Sequence, residues 1–170
     1  MTIKLFGAIL VILSCGGFGF LIASAHRIEV KTLRQFIYAL DFMECELKYR
    51  MTPLPELCRQ AAAASHGTVK RVLNLLASEL DHQISPDVDR CMSAAIQQVK
   101  ELPKLTREAM ELLGRSLGRF DVDGQLKGLA AVRSESKRIL DTYTKNQDVR
   151  LRSYQTLGLC AGAAMAILFI

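Results

Sequence analysis

The chain has 170 residues and a formal net charge of +5; half of it is hydrophobic, only 6% is aromatic, and it has no Trp. That length suits one ordinary domain and is short for two, and so few aromatics favour aliphatic helix packing over a sandwich or barrel. Charge is unevenly placed: 21 of the 22 Lys and Arg and all 17 acids lie between residues 27 and 152, a net +4 there, which suits a membrane-facing surface better than a nucleic-acid site.

The first element is the stretch "LFGAILVILSCGGFGFLIASA", residues 5–25, with 21 uncharged residues. At about 1.5 Å per residue it spans a hydrocarbon core of roughly 30 Å, so a transmembrane helix is predicted. Cys15, Gly19 and Ala23 form a ridge of small residues at four-residue steps, which allows close helix crossing. Two other readings compete. Ala23-Ser24-Ala25 before His26 has the small-x-small form of a signal-peptide cleavage site, although the apolar run exceeds the usual h-region of about 7 to 15 residues. Ile12-Leu13-Ser14-Cys15 brushes against a lipoprotein acceptor pattern, but the ten residues after Cys15 stay apolar.

Residues 27–152 read as an all-helical bundle of about six helices, with no strand-like alternation. The first, about 28–50, puts Leu33, Phe36, Ile37, Leu40, Met43 and Leu47 on one stripe. It meets "TPLPE" at residues 52–56, where Thr52 is expected as N-cap, Pro53 as the first helical residue, and Glu56 as an acid favouring the helix start. The result is a fixed corner, with Leu54 and Leu57 tucked against the first helix. The second helix runs to His66-Gly67; Thr68 caps a third, whose stripe is Val69, Val72, Leu73, Leu76 and Leu80. Ser85-Pro86 starts a fourth carrying Val88, Cys91, Ala95 and Val99, and Leu102-Pro103 separates it from a fifth carrying Leu105, Ala109, Leu112, Leu113 and Leu117. The sixth begins near Asp123, with Leu126, Leu129, Ile139 and Tyr143 on its stripe, and no breaker precedes the last apolar segment.

Glycine inside a helix costs about 1 kcal/mol relative to Ala, so Gly114-x-x-x-Gly118 and Gly124-x-x-x-Gly128, either side of "RFDVD", need a reason. Close approach of the fifth and sixth helices is the packing explanation, and a notch for a partner's side chain is the functional one. Residues 153–170 carry no charge and are predicted to be a second transmembrane helix. Their small-residue ridge of Gly158, Gly162 and Ala166 pairs the two membrane segments within a chain or joins chains in a homo-oligomer. The bases beside both segments, Arg27, Lys31 and Arg34, then Lys145, Arg150 and Arg152, put the middle in the cytoplasm by the positive-inside rule.

Chemistry is sparse. The five cysteines are odd in number and singly spaced, which gives no disulfide framework or zinc pattern and fits a reducing compartment. Glu79-x-x-His82 is half of a di-iron spacing without its second half. Residues 114–118 lack the spacing and terminal Lys-Ser/Thr of a P-loop, and no Ser or Cys has a recognisable nucleophile arrangement. The sequence therefore points to a non-enzyme without cofactor or metal.

The order of an apolar N-terminus, "ECELKYRMTPLPEL", "LGRSLGRFDVDGQ" and an apolar C-terminus resembles the stage III sporulation protein AB family over nearly the whole chain. The resemblance rests on Glu44, Glu46, Tyr49 and Thr52-Pro53-Leu54, then on Gly114, Leu117, Gly118, Asp121 and Gln125. That family is in turn similar to the cytoplasmic domains of type II secretion F and type IV pilus platform proteins. The resemblance implies a multi-pass protein of the mother-cell-derived membrane around the forespore. It further implies a non-enzymatic platform in a secretion-like channel complex, with a cytoplasmic secretion-type ATPase of the stage III A complex and that complex's other membrane proteins as partners. Secretion F proteins, by contrast, carry two such domains and three membrane segments, and many have an acid where Arg115 stands here. If residue 25 is a cleavage site, the alternative is an exported or surface-anchored helical binding protein. Glu44 and Glu46 are expected either to offer acidic surface beside the corner or to solvate the helix and pair with Lys48 and Arg50.

Overall fold

The computed structural model describes the backbone of residues 2–82, 87–118 and 121–169 and the side chains of residues 24–82, 87–118 and 121–145. The described residues form helices and no strand: α1 (Thr2–Arg50), α2 (Leu54–Ala63), α3 (Gly67–His82), α4 (Val88–Gln98), α5 (Lys104–Ser116) and α6 (Val122–Phe169). They divide into two compact units, one of residues 1–27 with 141–170, the other of residues 28–140.

The unit of residues 28–140 is built by the apolar stripes. Leu33, Phe36, Ile37, Leu40, Met43 and Leu47 of α1 are all buried, as the three- and four-residue steps require. They join one core with Leu57, Cys58, Ala61 and Ala62 of α2, the whole expected stripe of α3, and Leu129 and Val132 of α6. Consecutive helices from α2 to α5 pack as neighbours. The stripe of α5 is rotated from the expected one: Leu112 is 37% exposed, while Thr106 and Met110 are fully buried. Met110 is three residues before Leu113 and Thr106 four before Met110, so they continue the face that Leu113 and Leu117 establish, whereas Leu112 sits a full 100° off it.

Helix ends account for most departures from the sequence reading. Thr52 is not a side-chain cap; α2 starts at Leu54, with Pro53 in the cap position at φ −57°, ψ 145° and no side-chain hydrogen bond. Pro53 lacks an N–H and is one residue too early for N1, so Pro55, inside the first turn, takes the tolerated proline role. α3 starts at Gly67, ahead of Thr68. The Ser85-Pro86 start of α4 lies outside the described residues, and the cap observed there is Asp87, whose side chain accepts from the Asp89 N–H at 3.3 Å.

In the unit of residues 1–27 and 141–170, His26 Nδ1 and the Tyr143 hydroxyl are hydrogen-bonded, with ring centroids 5.4 Å apart. The side chains of the two apolar segments, including the ridges Cys15, Gly19, Ala23 and Gly158, Gly162, Ala166, are outside the described residues. Among the described residues no helix is long and apolar enough to cross a membrane.

Candidate docking surface

The corner between α1 and α2 is set by backbone geometry. α1 ends at Arg50, and Met51 turns the chain with a positive φ of 50° while its N–H still bonds the Leu47 carbonyl at 3.2 Å. This is a left-handed helix cap of the kind usually given to Gly, which avoids the cost of about 1–2 kcal/mol for a side chain in that region. A Met there leaves no sequence signal. Pro53 then bars further helix, and its carbonyl accepts from the Leu57 N–H at 2.8 Å to open α2.

The corner is apolar at its tip. Tyr49 is 74% and Met51 71% exposed, Pro53 is also exposed, and Thr52 and Leu54 are half-buried, with Leu54 packed against the core. Lys48 Nζ lies 5.6 Å from the Tyr49 ring centroid, a cation–π contact that steadies the exposed ring. Exposed aromatics and methionines on a rigid backbone are the residue types that anchor protein interfaces.

The acids beside it are engaged. Arg133 of α6 donates to Asp41 Oδ1 at 2.8 Å and its Nη1 lies 3.0 Å from Glu44 Oε2, tying α6 to α1. The bond to Asp41, with Glu44 beside it, holds the Arg133 guanidinium above its ordinary range. Glu46 has Arg50 at 3.6 Å. The pairing expected for Glu46 is therefore present, whereas Glu44 takes a partner 89 residues away that periodicity within α1 cannot reveal.

The second group of candidate residues packs within the fold. A Cβ on Gly114 would lie 2.8 Å from Met92 Cβ, and one on Gly118, at φ 79°, 2.3 Å from Val88 Cγ2. Both face α4, not α6, which corrects the expected approach of the fifth and sixth helices at these two positions. Gly128 is the glycine that brings α5 and α6 together, since its Cβ would meet the Ser116 carbonyl oxygen at 3.0 Å. Leu117 is buried. Asp121 Oδ1 accepts from the Gly124 N–H at 3.0 Å and the Asp121 carbonyl accepts from the Gln125 N–H at 2.9 Å, so this pair opens α6. The structure thus separates the two sets: Tyr49, Met51 and Pro53 form exposed surface, while Gly114, Leu117, Gly118, Asp121 and Gln125 form joints within the fold.

Among the described residues no group of His, Cys, Asp and Glu is arranged to hold a metal. The described residues of 28–140 form a helical bundle fastened by interhelical ion pairs and tight glycine contacts, with an exposed apolar corner. The chain belongs to the stage III sporulation protein AB family, whose model matches residues 4–170. It is 24% identical to stage III sporulation protein AB of Bacillus subtilis (strain 168) over 174 residues, 99% of each chain. A solved structure of stage III sporulation protein AB shares the fold at a TM-score of 0.62 and 22% identity, covering 72% of this chain and 98% of that one. The family is named for a stage of sporulation and not for a reaction.

Proposed function

We propose that this chain is a non-enzymatic membrane platform in a secretion-like channel complex of endospore formation, and that the corner at residues 49–54 docks a cytoplasmic secretion-type ATPase. The observation that carries the reading is the corner itself: two large apolar side chains held in water on a backbone turn fixed by Met51 and Pro53. Burying a large apolar side chain stabilises by about 1.5–3 kcal/mol, so two such residues supply a strong anchor without any polar chemistry. Membership of a sporulation family supports the setting. The uncharged segments at residues 5–25 and 153–170 support a two-span, multi-pass protein whose bundle faces the cytoplasm and whose homo-oligomer forms in the bilayer.

The test is recruitment of the ATPase to membranes of sporulating cells. Because Glu44 is tied to Arg133, charge reversal there disturbs the fold as well as the surface, and Tyr49→Ala is the cleaner probe. An exposed side chain tolerates truncation within about 0.5 kcal/mol, so the variant melts like the parent. It loses recruitment and spore formation if the corner docks the ATPase; full recruitment refutes the assignment.

A further inference from the structure

We propose that the end of the bundle at which α1 enters is a docking face for an anionic lipid surface, made by Lys31, Lys70, Lys100 and Lys104. The inference rests on the two-span reading and adds the chemistry of the bilayer that the bundle meets. Tertiary contacts gather these residues from distant parts of the chain. Glu29, in the first turn of α1 within the bundle, accepts the N–H groups of Lys104 and Leu105, which sets the start of α5 beside the entry of α1. Glu101, three residues before Lys104, is paired with Arg71, which brings the first turns of α3 to the same end. Lys70 and Lys100 are the chain neighbours of that pair, and Lys31 follows Glu29 by two residues.

All four lysines are exposed. Lys31, Lys70 and Lys100 make no ion pair among the described residues, and Lys104 has only the exposed Glu108 at 3.9 Å. The acids Glu29 and Glu101 are engaged, one in capping α5 and the other with Arg71. The opposite end has the reverse sign: where Gly118 meets Val88, Asp87, Asp89, Asp121 and Asp123 stand against Arg90 and Arg115. A bundle with charge separated in this way presents one end to a negative surface. The second, independent observation is apolar. Ile28, the first residue of the bundle, is 57% exposed, and the uncharged stretch of residues 5–25 ends three residues before it. Lys31 follows Ile28 by one helical turn, on the same side of α1. An aliphatic side chain and lysine stems enter the headgroup boundary while the ammonium groups stay at the phosphates. An acidic protein partner fits the lysines alone; the uncharged stretch beside them commits the face to lipid. Lysine also suits a fluid headgroup layer, because its hydrated point charge on a flexible stem needs no fixed fork geometry.

The experiment uses the full chain in vesicles of phosphatidylcholine mixed with phosphatidylglycerol. A diazirine amino acid replaces Ala64, exposed in the turn before α3, or Arg90 at the opposite end. Lipid adducts are identified by mass, and insertion is checked by resistance to alkaline carbonate. The proposal expects adducts from position 64 enriched in phosphatidylglycerol over its bulk share, and no lipid adduct from position 90. The enrichment falls by up to about fivefold per lysine in Lys70→Gln and Lys100→Gln and survives in Lys70→Arg. It is lost at about 1 M salt, where the Debye length is roughly 3 Å. Adducts at the bulk lipid ratio, enrichment unchanged in both glutamine variants or at high salt, equal adducts from both positions, or no adduct from position 64 of an inserted chain overturns it. Loss of the enrichment to millimolar glycerol phosphate at constant ionic strength marks a small-anion site and also overturns it. A chain released by carbonate refutes the two-span reading, and this inference with it.

Discussion

Both carboxylate oxygens of Glu29 accept backbone N–H groups at the start of α5, from Lys104 at 2.9 Å and from Leu105 at 3.2 Å. Pro103 precedes that helix and has no side chain able to cap it, so an acid on α1 does the capping and also meets the positive end of the helix dipole. Glu29→Ala is expected to destabilise the bundle by about 1 kcal/mol and Glu29→Gln by less, read by thermal unfolding of the full chain in detergent; no change in either would reduce Glu29 to surface decoration. The thiols give a second prediction. Burial pushes the Cys58 thiol up to about 12, against an ordinary value of 9.0, with Arg59 opposing, and burial also raises Cys91. An unfolded chain ionises Cys58 near pH 9 while the folded chain keeps it neutral, so the stability it contributes is present below that pH and is lost as pH rises toward 12. In alkylation at pH 8 followed by mass spectrometry, exposed Cys45 is expected to react, and Cys58 and Cys91 only after unfolding.

At the scale of elements, the corner combines a structural cost with a surface. Met51→Gly removes the left-handed penalty and is expected to raise stability by roughly 0.5–1 kcal/mol, yet it deletes an exposed anchor and is expected to weaken ATPase recruitment. Stability and recruitment moving in opposite directions separates docking from folding; a stabilised variant with unchanged recruitment would leave Tyr49 alone to carry the contact. The stripes of α1 and α3 were legible because a helix buries residues at fixed steps, and every apolar residue assigned to them is buried. The corner was legible as a stop-and-restart from its two prolines, but not its mechanism, since nothing marks Met51 as left-handed. Contacts between distant helices, such as Glu29 to α5 and Arg133 to Asp41 and Glu44, depend on which faces meet and leave no local pattern. Gly114 and Gly118 were recognised as needing a neighbour, but sequence order suggested α6 where the fold supplies α4.

For the whole molecule, the family match runs over residues 4–170, and the chain divides into a bundle of residues 28–140 and a unit of residues 1–27 and 141–170 that contains both apolar segments. The distribution of bases predicts that both termini lie outside the cytoplasm. Cysteine accessibility with an impermeant reagent should label a cysteine placed at residue 2 from outside and one at Arg90, exposed on the bundle, only after the membrane is opened; labelling of residue 90 from outside would favour an exported protein instead. The claim that the platform docks an ATPase through its corner is tested most directly by a photocrosslinking amino acid at Tyr49, compared with one at Arg90, in membranes of sporulating cells. The account predicts an adduct with the ATPase from position 49, weakened by Met51→Gly and absent from position 90. No adduct from position 49 in a folded, membrane-inserted chain, or equal adducts from both positions, would contradict it.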